Sequence, residues 1–212
     1  NFVKNQAKIP LIITGASVVH TYVDQSADLA MAKTIILNAK TRRVSICNAL
    51  DAVLLHNSIY QKFLKIAAEN LAEKNIEIRA DEKSFTALKT ISYPKLKKAG
   101  RSDFDTEFLD YILAVKVVNS FSEALKHIRS HSLGHSEAIV TRSKKQAEEF
   151  FKKIDAACLY LNTSTQFSDG GEFGLGGEIG ISTQKLHARG PFAYAELTTY
   201  KYLTESQGAI RK

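Results

Sequence analysis

In the segment TRRVSICNALDAVLLH, residues 41–56, Cys47 stands between a basic loop carrying Arg42, Arg43 and Ser45 and an apolar run. Thiolate is the nucleophilic form of cysteine, and nearby guanidinium charge favours it. The neighbouring Asn48 amide and the backbone N–H of Cys47 can donate hydrogen bonds to the oxyanion that forms when sulfur attacks a carbonyl. These residues permit acyl chemistry at Cys47 without demanding it. The plainer alternative is a small hydrophobic residue at the edge of a core, since inert cysteines are common. Cys158, inside the run AACLYL, reads as core.

Two other groupings compete. His127, His131 and His135 recur every four residues, which on one continuous helix would line a single face and suggest zinc. Gly134 interrupts the last interval, however, and no acidic residue or cysteine stands beside them to complete a tetrahedral set. No metal site is expected; helix-end and loop histidines are the simpler reading. The stretch SDGGEFGLGGEIG suggests a phosphate cradle only superficially, because it lacks the GxGxxG and GxxxxGK[ST] spacings and the strand–turn–helix frame they need. As a wall around a small substrate it is reasonable. Residues 162–191 hold Gly170, Gly171, Gly174, Gly176, Gly177, Gly180 and Gly190, too many for a core element.

The elements that must position these residues alternate. Residues 9–13 and 18–23 read as short β runs, and Ala27–Lys40 as a helix ending just before the basic loop. Strands are expected at 52–55, 76–79, 112–118, 137–141 and 157–161. Between them lie helices from a Ser58 cap to Asn75, over 81–89, from a Ser122 cap to His131, and over 143–154. Residues 91–105 read as surface connection, and the tail LTTYKYLTES alternates as a strand that could pair with another chain. The alternation predicts a layered α/β domain with a largely parallel sheet.

A chain of 212 residues can bury a real core, and 44% hydrophobic with 24% charged residues is ordinary globular composition. No apolar run approaches the ~18 residues of a membrane helix, so no membrane partner is expected. The +7 net charge is spread over helix-like segments instead of gathering with aromatics, so nucleic-acid binding is not expected either. Two cysteines far apart make no disulfide framework, which suits a reducing cytoplasm. The opening NFVKNQAKIPLIITG reads as a chain already under way.

The stretches NAKTRRVSICNALDAVLLH, HIRSHSLGHSEAIVT and NTSTQFSDGGEFGLGGEIGISTQKLHARGP resemble the γ-glutamyl phosphate reductases, of the aldehyde dehydrogenase superfamily, from Ile9 to Arg211. The resemblance implies an αβα catalytic domain over 15–191, the end of a cofactor-binding domain over 1–14, and an oligomerisation segment over 192–212. A Rossmann-like cofactor domain would precede this sequence, so the chain alone should bind NADPH poorly and be nearly inactive. The implied reaction makes glutamate 5-semialdehyde from γ-glutamyl phosphate and NADPH, with Cys47 as the nucleophile that forms a thioester. By the same resemblance Glu107 would hold the nicotinamide ribose. Asn162, Ser164 and Thr165 fall in the segment that grips the substrate's α-carboxylate, and Arg43 could neutralise the leaving phosphate.

Several positions depart from the family pattern. Arg42 and Val44 replace the glutamine and proline of TQRPSVCN, and Leu109 stands where the segment around Glu107 has phenylalanine. At Ile13 the hydrolytic aldehyde dehydrogenases carry a water-activating glutamate. An apolar residue there agrees with a reductase, which must not hydrolyse its thioester. Lys185, His187 and Arg189 are read as structural parts of the Gly-rich wall. The rival from another class is a non-catalytic α/β binding module that keeps the fold.

Overall fold

The computed structural model describes residues 2–212. After a short helix α1 (Phe2–Gln6), the chain runs β1 (His20–Val23), α2 (Leu29–Thr41), β2 (Ala52–His56), α3 (Tyr60–Glu73) and β3 (Glu77–Ala80). It continues through α4 (Glu82–Thr90), β4 (Leu96–Lys98), β5 (Ile112–Val118), α5 (Phe121–His131), β6 (Ser136–Val140), α6 (Lys144–Lys153) and β7 (Cys158–Leu161). The seven strands form one parallel sheet in the order β4-β3-β5-β2-β1-β6-β7.

Strand periodicity decides which helices cover which face. Val53 and Leu55 of β2 and Val23 of β1 point to a core built with Ile36, Phe63, Leu64 and Leu71 from α2 and α3. Tyr22 and Leu54 point the opposite way, onto Ala124, Leu125 and Ile128 of α5 and Phe150 of α6. Because both faces are covered, β2 reads as a nearly unbroken apolar run, as parallel strands do. Among the described residues no helix is long and apolar enough to cross a membrane.

Helix starts follow local side-chain chemistry. Asp28, Asp81 and Ser143 accept from backbone N–H groups in the first turns of α2, α4 and α6. Two caps differ from the sequence expectation. Ser120, and not Ser122, caps α5 by accepting from Glu123 N. The Glu123 carboxylate in turn accepts from Asn119 N at 2.8 Å, one residue before the cap, and ties the incoming chain to the first turn. Helix α3 has no side-chain cap, because its N-cap position falls on Ile59; Ser58, one residue earlier, bonds His56 Nδ1 at 2.8 Å.

Other differences have equally local causes. Residues 9–13 form no strand, since Ile13 N meets the side chain of Gln184 instead of a neighbouring strand. The expected connection 91–105 contains β4, an edge strand whose Leu-Lys-Lys sequence hides it, and a 3₁₀ turn at Arg101–Asp105. The Gly-rich region closes as an antiparallel hairpin of β8 (Gly180–Ser182) and β9 (Gly190–Phe192). The tail forms no strand over 198–206, and Tyr200, Tyr202 and Leu203 are exposed.

The histidines do not gather as a metal triad. His127 stacks on His131 with ring centroids 4.2 Å apart, and His131 Nδ1 bonds Asp105 at 2.6 Å. His135 lies beyond α5 and bonds Ser136 Oγ at 2.7 Å. Among the described residues, no group of three or more His, Cys, Asp or Glu side chains is placed to hold a metal ion. A different pair emerges inside the sheet. His20 of β1 and Glu137 of β6 stand opposite each other, both fully buried, with His20 Nδ1 3.1 Å from Glu137 Oε2.

Candidate active site

Cys47 is delivered by the loop between α2 and β2, at the amino ends of the central strands. That loop is braced from two sides. Ser17, just before β1, donates its hydroxyl to the Cys47 carbonyl and lies 2.9 Å from Glu107 Oε1. Asp51 accepts from Val19 N at 3.1 Å and from Phe108 N at 3.0 Å, tying the start of β2 to β1 and to the segment that carries Glu107. Burial pushes the Asp51 carboxyl up to about 6 despite those two bonds. Lys40 is fully buried nearby, and burial draws its ammonium down to about 8.

The second brace comes from the segment after β7. Thr165 Oγ1 donates to the Asn48 carbonyl at 2.8 Å. The buried Gln166 amide donates to Ala39 O at 3.0 Å and Arg43 O at 3.3 Å, and Ser168 O accepts from Asn48 Nδ2 at 2.9 Å. Gln166 thus holds the entry to the turn that presents the thiol, while Leu50 N on Ala39 O and Thr165 on Asn48 O hold its exit. Gln166→Ala leaves the Arg43 carbonyl without that donor and Ala39 O with Leu50 N alone, and is expected to lower unfolding free energy by about 1–2 kcal/mol in urea titration. An unchanged midpoint would show that the loop holds itself.

Around the thiol is a cavity of about 310 Å³ lined by Arg42, Arg43, Ile46, Cys47, Asn48, Asp169, Glu178 and Ile181. The sequence-proposed Cys47, Asn48 and Arg43 therefore meet in one place, and Glu107 joins them through Ser17. Asn162, Ser164 and Thr165 do not line this cavity. Asn162, in the left-handed region at φ 52°, bonds both backbone groups of Thr141 beyond β6. Ser164 caps the short turn Thr165–Phe167, and Thr165 is fully buried.

The thiol's electrostatics differ from the sequence expectation. Burial, followed by the Glu178 carboxylate, pushes the Cys47 thiol up to about 11, with Glu107 acting in the same direction. The backbone N–H groups of Cys47 and Asn48 oppose this by favouring the anion. Both arginines are exposed, and Arg42 Nη1 lies 3.4 Å from Gln166 Oε1, so water screens their charge. The structure also commits the Asn48 NH₂ to Ser168, which makes that amide a brace of the loop.

Asp169 and Glu178 are site residues that the pattern of the chain did not single out. They stand at the two ends of the Gly-rich turn. Glu178 Oε2 accepts from Gly170 N at 3.0 Å, and Asp169 Oδ1 accepts from Gly171 N at 2.7 Å. A Cβ on Gly170 would come within 2.1 Å of the Gly177 carbonyl, so only glycine allows the turn to close. Beyond it, Lys185 and Arg189 pair with Asp155, and the His187 ring donates to Glu196 O at 2.9 Å. All three fasten the hairpin.

A parallel seven-stranded sheet covered on both faces, with a cysteine loop at its amino ends, defines an α/β domain of the aldehyde dehydrogenase type. Propionaldehyde dehydrogenase from Clostridium phytofermentans shares this fold at 20% identity over 81% of the chain, with a TM-score of 0.60. A crystal structure of gamma-glutamyl phosphate reductase from Thermotoga maritima matches all of the chain and 50% of its own, at 44% identity and a TM-score of 0.91. Curated gamma-glutamyl phosphate reductases from Streptococcus suis and Chlorobium limicola are 51% and 52% identical over 99% and 100% of the chain. The chain is thus a relative of the gamma-glutamyl phosphate reductases along its entire length, and it spans about half the length of the curated relatives it matches. No family model matches it.

Proposed function

We propose that the natural polypeptide carrying this sequence reduces L-glutamyl 5-phosphate to L-glutamate 5-semialdehyde, releasing phosphate, as a step of proline biosynthesis. The observation that carries this reading is the Cys47 thiol facing a cavity with two guanidinium groups, in a chain half identical to reductases of that name. The sulfur anion attacks the acyl carbon, the carbon–oxygen bond to phosphate breaks, and a thioester remains on Cys47. Arg42 and Arg43 offset the charge of the departing phosphate. Ser17 and Gln166 keep the sulfur in place while the backbone N–H groups of Cys47 and Asn48 support the anion.

NADPH fits this site through Glu107. One Glu107 carboxylate oxygen lies 2.9 Å from Ser17 Oγ, and the other has no hydrogen-bond partner among the described residues, leaving an acceptor for a ribose hydroxyl. When bound, NADPH supplies the hydride that reduces the thioester carbon. A Rossmann-like domain outside this sequence would provide most of its binding surface, so the chain alone would turn over little. Two free thiols suit a reducing cytoplasm. The open edge of β7 and the exposed tail suit self-association as a homo-oligomer.

The high thiol pKa favours one other reading, a binding module with a silent cysteine. The two separate in the reverse direction. The full polypeptide should reduce NADP⁺ with glutamate 5-semialdehyde only when inorganic phosphate is present. Absence of phosphate-dependent NADP⁺ reduction would favour the module.

A further inference from the structure

The cavity around Cys47 is not uniformly cationic. Arg42 and Arg43 come from the cysteine loop, while Asp169 and Glu178 come from the two ends of the Gly-rich turn. Each carboxylate has one oxygen fixed by a backbone N–H, and neither pairs with a cation among the described residues. Asn48 lines the same cavity, is 3% exposed, and its Oδ1 has no hydrogen-bond partner among the described residues. A buried acceptor without a donor is costly, so it points to a donor brought by a ligand. Its NH₂ is already spent on Ser168, so the unfilled capacity of Asn48 includes an acceptor.

From this arrangement we infer that Asp169, Glu178 and Asn48 Oδ1 form a subsite for a substrate ammonium group in the cavity that Arg42 and Arg43 also line. The inference rests on the proposed reductase reading and deepens it. An ammonium offers three donors, matching three acceptors, and an α-amino acid acyl phosphate carries charges of both signs, for which the cavity lining has partners. The subsite gives a reason for Glu178 beside the sulfur. In the free site its charge opposes thiolate. An ammonium seated against it cancels that charge, so the correct substrate eases ionisation of the thiol that will attack it.

The experiment compares two aldehydes in the full polypeptide with phosphate and NADP⁺: glutamate 5-semialdehyde and 5-oxopentanoate, the same chain without the amino group. The unaltered protein should favour the amino aldehyde in kcat/KM by about 10- to 100-fold, the range of a charge-assisted hydrogen bond. In Glu178→Gln and in Asp169→Asn this ratio should fall toward one, and further in the double variant. Any general effect on the thiol acts on both aldehydes and cancels in the ratio. A second measurement needs no variant. L-glutamate should protect Cys47 from iodoacetamide at concentrations where glutarate does not. An unchanged ratio in the double variant, or equal protection by the two acids, overturns the subsite while leaving the reductase reading intact. Failure of both aldehydes to reduce NADP⁺ would overturn that reading instead.

Discussion

Cys47→Ser is expected to remove turnover of the full polypeptide by about 10⁴-fold or more, the scale seen when a nucleophile is deleted from a site that works as a unit. The loss should appear in kcat and not in KM, because the cavity walls, Arg43 and Glu178 are untouched. Alkylation kinetics on the unaltered protein give a second readout of the same thiol. With the thiol pushed up to about 11, only about one molecule in 10⁴ holds thiolate at pH 7. Iodoacetamide labelling of Cys47 should therefore be slow at neutral pH and climb through the alkaline range, with Glu178→Gln shifting the climb to lower pH. Cys158, inside the sheet and also pushed up by burial, should label more slowly still. Full activity in Cys47→Ser would remove the acyl-transfer mechanism.

The alternation of strands and helices was legible in the chain because each element repeats at its own period, and the five strands expected between 52 and 161 lie where the sheet has them. Cys47 was legible as a residue, since its basic and amide neighbours are adjacent in sequence. Its electrostatics were not. Glu178 and Glu107 reach the sulfur only after the Gly-rich turn and the segment before β5 fold back over it. The same is true of Gln166, whose amide is polar in a sequence and a buried brace in the fold. Edge strand β4 escaped notice because two lysines occupy solvent-facing positions where β pattern is weakest. The His20–Glu137 pair was hidden for the opposite reason. Two polar residues within buried parallel strands only make sense once β1 and β6 are adjacent.

The buried histidines set the second large effect, acid instability. Burial first, with His20, His131 and Lys116 acting in the same direction, draws His127 down to about 2, and burial alone draws His135 down to about 4. Between their folded values and the unfolded 6.5, unfolding takes up their protons, so stability falls as pH falls below 6.5. Asp51 works in the other direction. Its folded value of about 6 exceeds the unfolded 3.8, so across that interval unfolding releases its proton. From pH 6 to 4 the balance is two protons taken up and one released, a net uptake of one. Stability should then drop by about 1.4 kcal/mol per pH unit, or about 3 kcal/mol across the interval. Below pH 4.5 the carboxylates held low by hydrogen bonds, Asp24 and Glu77 among them, steepen the fall. His127→Phe removes one of the two uptakes and should flatten the curve between pH 6 and 4, since His135 and Asp51 then offset each other. Urea unfolding of the chain at half-unit pH steps reads this directly. A stability that rises from pH 6 to 4 would mean that Asp51 dominates and that the histidines are not held neutral.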